Sequence, residues 1–297
     1  MKVVRQSLRL ASTAAVAAAT AALLGALAGC RCGDVELVAE FPKGQGALEE
    51  SFRLVTWNVR KGLDPRLRHD LLGLVQKEQP DLLLVQEGTA DLLRESPLGG
   101  FFGKGWRYPW PKGDAVGVMS FSRVRPLEKE VVATRHREFF MTAPKEALLT
   151  KYALPGGESL LIANIHALCF ERWSLGHYRA QFEDLQKKLA AHDGPLILGG
   201  DLNTWNPRRL AIVEEVARSL GLEEVSAFPQ TRTTGDRGSA IANWVCGVDS
   251  MLPLDRIYLR GLEVEALSVL EEYRSSDHLP LFVVLRPSRA VLAQRLP

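Results

Sequence analysis

Between Phe52 and Leu285 the chain repeats one device: a short apolar run that stops on a carboxylate, an amide or an imidazole, followed by a turn or an amphipathic stretch. Runs of this length, rich in Val, Ile and Leu, are too short for buried helices and predict strands. The predicted strands span 52–58, 81–86, 115–121, 147–154, 159–166, 195–199, 255–260, 263–269 and 279–285. Helical spacing appears three times between them. Residues 66–78 carry Leu67, Leu71, Leu74 and Val75 on one side, and 177–191 carry Tyr178, Phe182, Leu185 and Leu189. In 207–220, Pro207 sits near the first turn and Leu210, Val213, Val216 and Leu220 face inward. These stripes are core. Strands arriving singly and in hairpins, with helices between, predict an α/β (α+β) fold of two sheets covered by helices rather than one simple parallel sheet. With 297 residues, 46% of them apolar, the chain can bury a large core. No internal repeat and no linker follows residue 50. Residues 227–254 are the exception: long, Gly- and Thr-containing and aperiodic, as functional loops are.

The first residues belong to a different class of sequence. Lys2, Arg5 and Arg9 precede an uncharged Ala-rich stretch over 10–29, which ends Leu27-Ala28-Gly29-Cys30. Small residues before a Cys resemble a bacterial lipoprotein signal, in which that Cys is acylated. The other reading is an uncleaved transmembrane helix, since twenty uncharged residues just reach across a bilayer. Both place the domain outside the cytoplasm, in the cell envelope, and the first anchors it to membrane through lipidated Cys30. Arg31 rather than Asp after the Cys resembles an outer-membrane sorting pattern. The expected organisation is a signal peptide over 1–29, a tether over 30–50, one folded domain over 51–286 and a tail over 287–297. Without Lys2, Arg5 and Arg9, 34 of the 37 basic residues remain against 35 acidic ones, a formal charge of −1. A near-neutral body lacks the broad positive field of a non-specific nucleic-acid binder. In an oxidising compartment Cys169 and Cys246 can form a disulfide or remain two buried thiols; with no CxxC pair, no zinc site is expected.

Six strand ends carry polar residues: Thr56-Trp57-Asn58-Val59, Val85-Gln86-Glu87, Asn164-Ile165-His166, Gly199-Gly200-Asp201-Leu202-Asn203, Leu254-Asp255-Arg256-Ile257 and Ser276-Asp277-His278. Each alone reads as a turn or capping residue. Taken in order, they resemble the endonuclease/exonuclease/phosphatase superfamily over residues 52–285. The resemblance implies a four-layer α/β sandwich, two mixed β-sheets face to face with helices outside, in a monomer that hydrolyses phosphate esters. The substrate it implies is a phosphodiester, in nucleic acid or in a phospholipid head group.

A phosphodiester repels an attacking hydroxide, so catalysis must neutralise charge and align a water. Mg²⁺ (or Mn²⁺ in its place) takes hard oxygen ligands from one or two carboxylates. The resemblance makes Glu87 the principal metal ligand, with Asn58 and Asp277 close by. It pairs His278 with Asp255, gives Asp201 the attacking water and Asn203 a phosphate oxygen, and puts His166 across the phosphorus. Glu146, in Lys145-Glu146-Ala147-Leu148-Leu149, is the expected carboxylate partner of His166 on a looser match; an exposed strand-start Glu is the alternative.

Three departures narrow the branch. Arg60 stands where apurinic endonucleases have an acidic residue, His166 where they have Tyr, and Trp205 where inositol phosphatases carry Arg. The pattern is therefore similar to the deoxyribonuclease and sphingomyelinase branches. A binding module that had lost turnover would lack metal or His–Asp residues, and all are present. Arg60, Lys61, Arg172, Arg232 and Arg237 either line an anionic groove or are solvated surface charges. Trp173, Trp205 and Trp244 either stack on substrate or anchor loops.

Overall fold

The computed structural model describes residues 34–43, 46–107, 115–134, 145–169, 171, 174–225 and 252–288. The expected signal segment, Cys30, Cys246 with its pairing to Cys169, residues 227–251 of the aperiodic loop, Arg172, Arg232, Arg237, Trp173 and Trp244 lie outside the described residues.

In chain order the strands are β1 (Val35–Ala39), β2 (Phe52–Asn58), β3 (Leu82–Thr89), β4 (Gly99–Arg107), β5 (Ala115–Ser122), β6 (Glu128–Ala133), β7 (Glu146–Ala153), β8 (Ser159–His166), β9 (Leu196–Asp201), β10 (Glu223–Glu224), β11 (Asp255–Arg260), β12 (Leu262–Val269) and β13 (Leu281–Pro287). Three helices, α1 (Leu67–Glu78), α2 (Gly176–Leu189) and α3 (Pro207–Ser219), fall where the apolar stripes put them. α3 starts as its sequence dictates: Asn206 is extended, its side chain accepts from the Arg209 N–H at 2.9 Å, and Pro207 fills the first turn.

One sheet runs β1-β4-β5-β3-β2-β13-β12 and the other β10-β11-β9-β8-β7-β6. Both are mixed, because β2 pairs with β3 and β8 with β9 in parallel while their other neighbours are antiparallel. Strand alternation then divides the core. From β2, Val55 and Trp57 point out to Leu67, Leu71, Leu74 and Val75 of α1. Phe52 and Leu54 point in, meeting Leu82, Leu84, Leu160, Ile162, Ile197, Ile257, Leu281 and Val283 between the sheets. The outer face of the second sheet lies under Tyr178, Phe182, Leu185 and Leu189 of α2 and Val213 and Val216 of α3. The result is helix, sheet, sheet, helix: the expected four-layer sandwich, built from two apolar outer interfaces and one apolar centre.

The structure departs from the sequence reading at its edges. Val35–Ala39, inside the expected tether, is an edge strand antiparallel to β4, so the folded unit takes in part of 30–50. β4 itself was hidden by Gly99, Gly100, Gly103 and Gly105, which count against a strand by propensity. Side chains of Phe41, Phe121, Val131 and Glu146 occupy the space where Cβ atoms would stand, which requires glycine there. β6 and β10 were also unread, being exposed or two residues long. β13 begins after Pro280, which has no N–H for the ladder, and so runs two residues later than expected. Among the described residues no helix is long and apolar enough to cross a membrane.

Candidate active site

Along the inward face of the sandwich the side chains change from apolar to polar in one direction. On β2 the series is Phe52, Leu54, Thr56, Asn58; on β8 it is Leu160, Ile162, Asn164, His166. The polar rung is tied across the sheets: the Gln86 amide donates to Thr56 Oγ1 at 3.0 Å and to Asn164 Oδ1 at 2.7 Å. Asn164 in turn donates to the carbonyls of Met119 at 2.8 Å and Val85 at 3.2 Å. These buried amides set the relative height of the two sheets immediately below the site, where a shift would leave several of them unsatisfied.

Glu87 reaches the site through a backbone irregularity. Strict alternation after Gln86 would turn its side chain toward α1. The β3–β5 register slips between Val85 and Gly88, and Glu87 takes φ 54°, a left-handed conformation uncommon for a non-glycine residue. The bulge aims its carboxylate between the sheets, with Oε1 3.6 Å from His166 Nε2. Burial opposes its charge, but Lys145, His166, Lys61 and His278 outweigh that and hold it below the usual carboxylate range.

Asp201 is the centre of the cluster. Its Oδ2 accepts from the Asn58 amide at 2.9 Å and lies 3.4 Å from His166 Nε2, while Oδ1 accepts from the Asn203 backbone N–H at 3.0 Å. It therefore joins one sheet to the other. Burial raises its pKa to about 6, with Asp255 adding to the rise against the pull of His278. The glycine before it is dictated by packing: Gly200 has φ 134°, and a Cβ there would strike the Ile165 carbonyl of β8. Asn203, also left-handed at φ 51°, ties its amide to the Ala167 carbonyl at 2.9 Å, which leaves its second N–H for a ligand.

Asp255 Oδ2 is 2.6 Å from His278 Nδ1. That bond assigns the proton to Nδ1 and leaves Nε2 facing the site. Burial would depress the imidazole, but Asp255 above all, with Asp201 and Asp277, carries its pKa up to about 10. The strand end is pinned from both sides: Trp57 Nε1 donates to the His278 carbonyl at 2.9 Å, and Ser276 Oγ donates to the Asn58 carbonyl at 2.6 Å. Asp277 sits at the rim, 3.5 Å from Arg60 Nε. The two histidines thus differ in charge. His166, buried and beside Lys145, is pushed well below the ordinary range and is neutral.

Glu146 departs from expectation. Its carboxylate accepts from the Val118 N–H and lies against Gly105 and Gly117, and it forms no ion pair with His166. Burial raises its pKa to about 8. The side chain that does meet His166 is its neighbour Lys145, whose Nζ lies 2.8 Å from Nε2 and 3.2 Å from Nδ1 of the ring. Strand register puts Glu146 on the same inter-sheet face as His166, but its carboxylate turns across to Gly105, Gly117 and the Val118 N–H of the facing sheet, which leaves the ring to Lys145.

One further residue was not legible in the sequence. Arg209 is fully buried, donating to the carbonyls of Asn203 at 2.7 Å, Glu171 at 2.9 Å, Cys169 at 3.2 Å and Leu168. Its guanidinium lies over Tyr178 at 3.9 Å and Trp205 at 4.9 Å. Its partners are loop carbonyls, which no sequence pattern reveals. Trp205 resolves to a loop anchor: it is buried, and its indole donates to the Cys169 carbonyl at 3.2 Å.

Donor chemistry decides whether a hard divalent cation fits. Among the described residues no three His, Cys, Asp or Glu side chains are grouped so that together they could hold a metal ion. Mg²⁺ does not require such a group, taking one or two carboxylates and completing its shell with water and substrate oxygens. Glu87 is ionised and already draws two ammonium groups, Lys61 at 3.7 Å and Lys145 at 3.8 Å. A carboxylate that gathers cations, with the Asn58 amide and Asp277 on neighbouring strand ends, fits such an ion.

The site has relatives. The chain is 31% identical over 237 residues to the UPF0294 protein of Vibrio vulnificus strain CMCP6, covering 79% of this chain and 77% of that protein. It superposes on an endonuclease/exonuclease/phosphatase from Beutenbergia cavernae with a TM-score of 0.58 at 16% identity, covering 81% and 72% of the two chains. The catalytic domain of human Nocturnin, solved with a bound sulfate anion, gives a TM-score of 0.58 at 18% identity, with 86% and 98% covered. Residues 55–278, which hold every strand end described above, match the model of the Endonuclease/Exonuclease/phosphatase family, and the chain belongs to that family.

Proposed function

We propose that the chain is a Mg²⁺-dependent phosphodiesterase of the endonuclease class, hydrolysing a phosphodiester by in-line attack of water on phosphorus. One observation carries the reading. Asp201 is buried between Asn58 of one sheet and His166 of the other, with the charged His278–Asp255 pair beside it.

A buried carboxylate with a pKa near 6 is a competent general base at neutral pH, so Asp201 takes the proton of the attacking water. The ring of His278, charged up to about pH 10, faces the developing negative charge and donates to a non-bridging oxygen. Asn203 orients a second phosphate oxygen through its remaining N–H. His166 stands across the site and hydrogen-bonds the departing oxygen. Held by Glu87 with Asn58 and Asp277, Mg²⁺ would supply a Lewis acid for the phosphoryl group.

The test is hydrolysis of an aryl phosphodiester and of plasmid DNA with Mg²⁺, with Mn²⁺ and with chelator. Turnover that survives chelation, or persists in Asp201→Ala and His278→Ala, would overturn the proposal. A second reading rests on the Leu-Ala-Gly-Cys30 sequence: a lipid anchor in the cell envelope would hold the site beside phospholipid head groups. Release of phosphocholine from vesicles at a rate above DNA cleavage would favour that substrate.

A further inference from the structure

Two ammonium groups share the Glu87 carboxylate, the proposed metal ligand. Lys61 Nζ stands 3.7 Å and Lys145 Nζ 3.8 Å from Glu87, on different oxygens. They come from different layers of the molecule. Lys61 lies in the 3-10 turn Arg60–Gly62 that follows β2 in the first sheet, while Lys145 precedes β7 in the second. Lys145 is the more enclosed of the two: its side chain is 18% exposed with its ammonium against the edge of the His166 ring, while the Lys61 side chain is 36% exposed.

A divalent cation on Glu87 and an ammonium within 4 Å of it cannot both be accommodated at low cost, because like charges at that range in a partly buried site repel strongly. We infer that Lys145 is an internal competitor for the metal position: it balances Glu87 in the metal-free protein and must move aside when a divalent cation binds. Resting on the metal assignment above, this inference adds a consequence for the substrate. The displaced ammonium stays on the short chain segment leading into β7 beside His166, where an anionic phosphate is the partner of matching charge. Metal and phosphate then assist each other, since each removes a cost from the other's binding.

Isothermal titration of the full chain with Mn²⁺, with and without inorganic phosphate, tests this without turnover. The expected result is that Lys145→Met and Lys145→Gln bind Mn²⁺ roughly three- to tenfold more tightly than wild type, while Lys145→Arg keeps wild-type affinity. Phosphate should tighten Mn²⁺ binding in wild type and do so less in Lys145→Met. Thermal melts of each variant identify any that fail to fold, and either neutral variant suffices. Wild-type binding that Glu87→Ala abolishes, with unchanged or weaker affinity in the folded neutral variants, would overturn the competitor role and leave the metal site standing. Absence of Mn²⁺ binding in wild type, or binding insensitive to Glu87→Ala, would overturn the metal assignment itself.

Discussion

Asp201 and Asp255 are direct cross-strand partners in the antiparallel β9–β11 pair. Two carboxylates in that relation repel, and both are buried here. His278 resolves the conflict by bonding Asp255 and remaining charged beside Asp201. The pairing has a measurable consequence in the Asp255→Asn variant. His278 should lose its raised pKa and titrate near or below the ordinary 6.5, followed by NMR of the labelled ring, and kcat should fall by about 10²–10⁴. The sign follows from linkage. In wild type the folded state keeps a proton that the unfolded chain releases above pH 6.5, so this stabilisation is complete below that pH and is lost as pH rises through about 10. A ring in the variant that still titrates above pH 9 would contradict the account.

Asp201→Asn keeps the shape of the side chain but gives up one of its two accepted bonds, from the Asn58 amide or from the Asn203 N–H, and it removes the proposed base. The expected loss is about 10²–10⁴ in kcat with KM changed little. A wild-type kcat that does not fall as pH drops through about 6 would show that the residue acts through position instead.

Glu146 makes a prediction about stability alone. Burial holds its pKa at about 8 against an ordinary 4.5. Between those pH values the folded state keeps a proton that the unfolded chain has released, so wild-type stability falls as pH rises through the window. Glu146→Gln should remove that slope, which approaches ~1.4 kcal/mol per pH unit, and should be the more stable protein at pH 8. Urea midpoints of both proteins at pH 5 and pH 8 measure it; parallel slopes would mean that Glu146 is not protonated in the folded state.

Arg209 joins the loops that carry Asn203 and those after His166. Arg209→Met leaves four carbonyls, two of them in fully buried bonds, without that donor and should cost about 3 kcal/mol or more in urea unfolding, at ~1–3 kcal/mol per unsatisfied group. Arg209→Lys, which keeps the charge but not the planar fork, should recover only part of it. A loss below about 0.5 kcal/mol, the range of ordinary surface substitutions, would show the stack to be dispensable.

How much of this was legible beforehand depends on the range of the interaction that decides each feature. The three helices and the long strands came from periodicity, which is local: a stripe of Leu67, Leu71 and Leu74 has one use. The polar strand ends were equally plain, and the strand geometry carried Asn58, His166, Asp201 and Asp255 together. What the chain alone did not disclose was decided across strands. The bulge that turns Glu87 inward exists only against β5, and the glycine-rich β4 is a strand only because Phe41, Phe121 and Glu146 need the space. Lys145 rather than Glu146 meets His166 because the Glu146 carboxylate is taken up by the facing sheet, at the Val118 N–H and against Gly105 and Gly117. Residue chemistry was written in the sequence; direction, charge state and partner were settled by packing two sheets against each other.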